Sequence, residues 1–170
     1  MHLFEPFFPN EIHLSTYEIP FEEWYTKGYR GVIFDIDNTL VPHGADADER
    51  SIELFNRLRE IGFKTMLLSN NKEPRVRRFS EPIGSGYIHK AGKPAKKNYL
   101  RAMQEMGTSG ENTLFVGDQL FTDIWGAKRV GLYSILVRPI DPREEIQIVL
   151  KRYLERIVLF FYELELKKAE

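Results

Sequence analysis

Arg30-Gly-Val-Ile-Phe-Asp-Ile-Asp37 is an apolar run that opens on glycine and ends in two carboxylates. Its lack of polar alternation suits a strand covered on both faces. Downstream, Pro42-His-Gly44 marks a turn. From Asp48 to Ile61, apolar Ile52, Leu54, Phe55, Leu58 and Ile61 fall at helical spacing, and Gly62 closes the segment. The unit then repeats. Phe63–Leu68 predicts a strand ending at Ser69-Asn-Asn71, and Glu73–Phe79 a helix. A short strand at Tyr87-Ile88 precedes a loop and a helix over Ala95–Met106. Thr113–Val116 predicts a strand ending at Gly117-Asp118, followed by a helix over Phe121–Val130 and a strand over Leu132–Val137. This alternation implies an α/β fold: a doubly wound, open parallel sheet with right-handed crossovers and helices on both faces.

Composition narrows the class. With 170 residues the chain suits one domain spanning 1–170, whose core is residues 30–137 and whose helical arm is residues 143–168. Lys plus Arg number 24 against 25 Asp plus Glu, a net charge of -1, which argues against a nucleic-acid partner. The absence of cysteine removes disulfides, thiolate metal sites and thiol catalysis, and fits a reducing compartment. The N-terminus lacks the pattern of a secretory signal, and the run Ile157–Tyr162 falls far short of the ~20 residues that span a bilayer. The expectation is a cytoplasmic protein, peripheral at the inner face of the membrane if it meets lipid at all. The four histidines, at 2, 13, 43 and 89, have no ligand spacing. Gly86–Lys93 is not a P-loop, and Asp46-Ala-Asp48 lacks an EF-hand glycine.

In open parallel sheets the ligand lies beyond the carboxyl ends of the strands. The residues delivered there are Asp35 and Asp37, Ser69 and Asn70, the Lys90–Lys93 loop, and Asp118 with Asp123. Carboxylates without Cys or paired His make a hard oxygen-ligand site, for which Mg²⁺ is the natural occupant. One carboxylate can attack a phosphorus atom, and a second can protonate the leaving oxygen and then deprotonate water. In that scheme Asp35 stays ionised, while partial burial and a like-charged neighbour keep Asp37 protonated longer. Ser69 can donate to a phosphate oxygen, and Asp123 can orient the lysine or a metal-bound water. Lys93 is preferred to Lys90 and Lys96 because Pro94 can open the following helix and fix the lysine just before it. Asn38, Asn70 and Asn71 read first as loop-shaping residues, with Asn70 carried beside Ser69 as a phosphate contact.

Asp35-Ile-Asp-Asn-Thr-Leu-Val41 resembles the first motif of the haloacid dehalogenase superfamily in its phosphatase form. Ser69-Asn-Asn71 is similar to the second motif, Gly92-Lys93-Pro94 to the third, and Gly117-Asp-Gln-Leu-Phe-Thr-Asp123 to the fourth. The lead Phe7-Phe-Pro-Asn10, the stretch Gly126–Gly131 and the exit Val137-Arg-Pro-Ile140 resemble the YqeG-type subclass IIIA phosphatases, relatives of the phosphatidylglycerophosphate phosphatases. The resemblance implies Asp35 as nucleophile and Mg²⁺ ligand, Asp37 as acid/base and backbone-carbonyl ligand, and Asp118 as a further Mg²⁺ ligand. It also implies phosphate contacts from Ser69 and Lys93; no long insertion follows the first or second motif, so the mobile cap that many relatives carry is expected to be absent.

In the arm, Ile146, Leu150, Tyr153, Leu154, Ile157, Phe160, Phe161 and Leu164 share one stripe, with Lys151, Arg152 and Arg156 largely elsewhere. The stripe predicts a helix packed on the sheet or on a second copy of the chain. The competing expectation is an interfacial helix whose arginines meet anionic headgroups. The expected function is Mg²⁺-dependent phosphomonoester hydrolysis, with a phospholipid headgroup (phosphatidylglycerophosphate) as substrate. The alternatives are a soluble sugar or nucleotide phosphate as substrate, and a non-catalytic phosphate- or Mg²⁺-binding module.

Overall fold

The computed structural model describes residues 3–141 and 146–169, with side chains in the last helix covered from 149 to 168. Six parallel strands, β1 (Glu11–His13), β2 (Gly31–Phe34), β3 (Lys64–Leu68), β4 (Gly86–Ile88), β5 (Thr113–Gly117) and β6 (Tyr133–Val137), form one open sheet in the order β1-β6-β5-β2-β3-β4. Connections from β2 run outward through β3 to β4, whereas β5 lies on the other side of β2 and leads to β6. The order therefore reverses between β2 and β5, where such sheets open a crevice for ligand.

The central strand shows why its sequence is apolar throughout. Val32 and Phe34 point to one face, against Phe55 and Leu58 of α2 (Glu49–Ile61) and Val76 and Phe79 of α3 (Glu73–Ile83). Ile33 points to the other, against Tyr99 and Met103 of α4 (Lys96–Met106) and Ala127 of α5 (Trp125–Lys128). Helix α2 starts where its sequence says it should. Asp48 accepts the Ser51 N–H at 2.8 Å, the Ser51 hydroxyl accepts the Asp48 N–H at 3.0 Å, and Gly62 ends the helix at φ 114°.

Several elements depart from expectation. Residues expected only as an aromatic lead supply the edge strand β1, paired with β6, and a short helix α1 (Phe21–Thr26) that buries Phe21 and Trp24. Helix α3 runs one turn past Phe79. Pro82 sits in its last turn, and buried Ile83 anchors that turn before Gly84 ends the helix. Helix α4 begins at Lys96 with Ala95 as its cap, so Pro94 precedes the helix rather than opening it. The segment expected as one helix over 121–130 splits into a wide π-type turn, Leu120–Ile124, and α5.

Helix α6 (Ile146–Ala169) departs from one of its three expected settings, packing of the apolar stripe on the sheet. Its predicted apolar stripe does not face the core: Leu150, Tyr153, Leu154, Ile157, Phe160, Phe161 and Leu164 are all exposed, Leu150 at 67%. The buried face instead carries Glu155 and Val158, flanked by half-buried Arg152, Leu159 and Tyr162. Val158 packs with Leu120, Ile124 and Leu136, joined by Phe4, Phe7 and Phe8 from the lead. Ile146 lies outside the described side chains. Among the described residues, no helix is long and apolar enough to cross a membrane.

Candidate active site

Asp35 directly follows β2, and its N–H still donates to Val116 O at 3.0 Å, so the sheet holds its backbone in place. Asp118 directly follows β5, on the other side of the reversal point. Asp123 reaches back from the π-type turn: its Oδ2 accepts the N–H groups of Asp118 (3.2 Å) and Gln119 (3.1 Å). The widened turn permits this approach, and Gly117 makes room for it, since a Cβ there would lie 2.6 Å from the Asp123 side chain. Carboxylate oxygens from Asp35, Asp118 and Asp123 come within 4.8 Å of one another, and all three residues are buried.

Lys93 closes the cluster. Its ammonium donates to Asp35 Oδ1 at 2.7 Å and Asp123 Oδ1 at 2.6 Å. Because Pro94 does not start the helix, the lysine is fixed by another device. The Lys93 N–H donates to Asn70 Oδ1 at 2.8 Å, and Asn70 Nδ2 donates back to Lys93 O at 3.5 Å. Asn70 thus spends its side chain on the Lys93 backbone. Ser69 is buried at the end of β3, where its Oγ accepts the Asn71 N–H at 3.2 Å.

Asp37 stands apart from the acidic cluster. Its Oδ1 accepts from the Gly44 N–H (2.7 Å) and Arg75 Nη2 (3.0 Å), and its Oδ2 accepts from Asn71 Nδ2 (2.5 Å). The side chain is surrounded by donors rather than paired with a like charge. Asp35, Asp37, Ser69, Asn70, Lys93 and Asp123 line a shared cleft of about 160 Å³, with His43, Gln119 and Thr122 at its walls. Asp118 lies buried beside them.

Sequence reasoning gave no place around the acidic residues to Thr39, Arg75 or Glu155, read Asn71 as loop-shaping, and set Arg152 toward headgroups. Thr39 Oγ1 lies 3.1 Å from Asp118 Oδ1 and 3.4 Å from Asp35 Oδ2. Arg75 lies in the first turn of α3, where nothing in its neighbours separates it from Arg77 and Arg78. Arg152, grouped by sequence with residues facing headgroups, instead meets Asp118 at 2.5 Å.

Four buried carboxyl groups (Asp35, Asp118, Asp123 and Glu155) meet two cations, Lys93 and Arg152. The formal deficit of two positive charges equals the charge of one divalent ion, and the oxygen-only donors suit a hard one. Without an ion, protons make up part of the deficit. Burial, opposed by Lys93 and reinforced by Asp123, pushes the Asp35 carboxyl up to about 6. Burial and the neighbouring Asp35 and Asp123 likewise hold Asp118 well above the usual carboxylate range, against the pull of Arg152. Burial alone would lower Lys93, but Asp123 and Asp35 together hold its ammonium above its ordinary range.

These shifts fix a sign. Since folding raises the pKa of Asp35, its contribution to stability is full below the unfolded value of 3.8 and is lost as pH rises through about 6. The metal-free protein is therefore expected to melt higher at about pH 5 than at about pH 7. The increase in Tm on adding Mg²⁺ should be larger at pH 7, where the ion does not compete with protons. Scanning calorimetry with and without chelator checks both signs.

The model of the haloacid dehalogenase-like hydrolases matches residues 46–131. Over 154 residues the chain is 38% identical to the "Probable phosphatase YqeG" of Bacillus subtilis, covering 90% of each protein. The chain belongs to the haloacid dehalogenase superfamily. As a haloacid dehalogenase-type phosphatase, it is also 26% identical to phosphatidylglycerophosphate phosphatase 1 of Arabidopsis thaliana, over 92% of this chain and 48% of that protein. It thus spans about half the length of the plant relative. The haloacid dehalogenase fold is seen again in the cobalt-bound deoxy-D-mannose-octulosonate 8-phosphate phosphatase of Haemophilus influenzae. That structure has a TM-score of 0.53 at 16% identity, covering 65% of this chain and 69% of that one. No cap is evident: among the described residues, the segments after β2 and β3 each carry one helix and no further sheet.

Proposed function

We propose that the chain hydrolyses phosphomonoesters in two steps through an aspartyl-phosphate at Asp35. The observation that carries this reading is the pairing of Asp35 with Lys93 in the cleft at the point where strand order reverses. Asp35, Asp118 and the backbone carbonyl of Asp37 would hold Mg²⁺, with Asp123 supporting from behind through Lys93 and the Asp118 N–H. Bound there, the ion offsets charge on the phosphoryl oxygens.

In the first step an Asp35 carboxylate oxygen bonds to phosphorus as the ester P–O bond breaks, and Asp37 protonates the departing oxygen. In the second, Asp37 takes a proton from water. The hydroxyl bonds to phosphorus, the acyl-phosphate bond breaks, inorganic phosphate leaves and Asp35 is again a carboxylate. For the first role Asp37 must give up its contacts with Arg75, Asn71 and the Gly44 N–H. Lys93 counters phosphoryl charge, and the Ser69 hydroxyl, whose oxygen already accepts from Asn71, can donate its hydrogen to a phosphate oxygen.

For the substrate we propose phosphatidylglycerophosphate, met at an anionic membrane surface on the cytoplasmic side. Three features support it: the uncapped cleft, the exposed apolar stripe of α6, and the plant relative. The cleft of about 160 Å³ suits the phosphoryl group and leaves a bulky leaving group outside. A panel assay with Mg²⁺ is the test, offering phosphatidylglycerophosphate in mixed vesicles beside soluble sugar and nucleotide monophosphates. The expected result is a kcat/KM for the lipid at least about tenfold above any soluble ester, a difference of ~1.4 kcal/mol in transition-state binding. A soluble ester preferred over the lipid would overturn the substrate assignment. No turnover of any ester would leave the non-catalytic binding module.

A further inference from the structure

Helix α6 begins after the six strands are complete, and the family match stops at residue 131. Even so, it places half-buried Arg152 and buried Glu155 under the acidic cluster. Arg152 Nη1 donates to the Asp118 backbone carbonyl and Nη2 to Asp118 Oδ2, each at 2.5 Å. Nη1 also meets Glu155 Oε2 at 2.9 Å, while Glu155 Oε1 accepts the Leu120 N–H at 2.8 Å. The helix thereby grips the chain on both sides of Gln119. The two oxygens of Asp118 are divided between opposite sides. Oδ2 is held by α6, and Oδ1 accepts from Thr39, whose hydroxyl also lies beside Asp35.

A helix needing only adhesion had seven apolar side chains on its other face with which to pack. It buries Glu155 and half-buries Arg152 instead, at a desolvation cost that is recovered only through their partners. A guanidinium fork reads a main-chain and a side-chain oxygen together, a geometry that a point charge cannot reproduce.

We infer that Arg152 is a positioning residue for the metal centre: it holds Asp118 from behind so that Oδ1 stays turned toward Asp35, and the centre is incomplete without α6. The inference rests on the reading of Asp35 and Asp118 as Mg²⁺ ligands.

The test is calorimetric titration of Mg²⁺ into the metal-free, full-length chain and its R152A and R152K variants, with circular dichroism to report folding. R152A should raise the Mg²⁺ Kd about 10–100-fold, the range set by partners that orient metal ligands. R152K keeps the charge without the fork and should fall between the two. At saturating Mg²⁺ the kcat of R152A should return toward wild type, the loss residing in metal affinity. A folded R152A or R152K with wild-type Kd would overturn the inference, even with a lowered Tm, since a purely structural latch predicts that pattern. Tighter binding in R152A would also overturn it, by making Arg152 a competitor of the ion. Should R152A fail to fold, R152K decides. Absence of Mg²⁺ binding by the wild-type chain would instead defeat the underlying metal reading.

Discussion

Asp35→Asn should abolish phosphatase turnover, by about 10⁴-fold or more in kcat, while leaving the fold intact. Losses of this order follow removal of a covalent nucleophile, because the remaining groups can only bind and polarise the ester. The amide matches the carboxylate in size, so the packing around this buried position survives. Lys93 also keeps Asp123, at 2.6 Å, as its counter-ion. The checks are steady-state turnover on whichever ester the panel selects, and acid quench of a ³²P-labelled substrate. Labelled protein should form with the wild-type chain and not with the variant. A folded variant that retains wild-type turnover would remove Asp35 from the chemistry, whatever the metal does.

How far the sequence reaches can be judged residue by residue. The strand before Asp35 was legible because both of its faces are buried, so periodicity and burial agree. The same holds for β5 and for the last three residues of β3, and the structure brings Asp35, Ser69 and Asp118, which follow these strands, together with Lys93 from the loop after β4. Edge strand β1 was not legible: Glu-Ile-His is three residues long, half exposed, and defined by its partner rather than by its own pattern. The π-type turn was missed because its cause is the Asp123 carboxylate reaching back to two N–H groups, which amphipathic spacing does not encode.

The face by which α6 packs on the core was missed for a sharper reason. Hydrophobic periodicity assumes that the core accepts only apolar side chains, yet the surface α6 covers contains the Asp118 carboxylate and the Leu120 N–H. Leaving either unpartnered in the interior would cost more than the helix gains by burying one more leucine. The face that could satisfy those groups won, and the apolar stripe was left outward. Had the pattern been read as Arg152, Glu155, Val158 and Tyr162, at spacings of three, three and four, it would have found this face. Nothing in the sequence ranks that set above the richer stripe.

Lys93→Met should have the second large effect, and it separates electrostatics from chemistry. The thioether fills much the same volume, but Asp35 and Asp123 lose the cation lying 2.7 and 2.6 Å from them. Removing one partner of a buried ion pair costs about 3–5 kcal/mol, because the charge left behind is neither solvated nor paired. At about 2–4 °C per kcal/mol for a chain of this size, Tm of the metal-free variant should fall by roughly 6–20 °C near pH 7. The deficit should shrink toward pH 5, as Asp35, already pushed up to about 6 by burial, takes up a proton and ceases to be a buried charge. Added Mg²⁺ should also restore part of it by supplying the missing positive charge. Turnover at saturating Mg²⁺ should still be lower by about 10²–10³-fold, since the ion replaces the lysine as a counter-charge but not as a donor aimed at the phosphoryl group. Thermal melts at the two pH values, with and without Mg²⁺, together with kcat, make the distinction. A variant that melts like wild type at pH 7 would mean that Asp35 and Asp123 are not both charged beside Lys93, and the charge argument for a divalent ion would go with it.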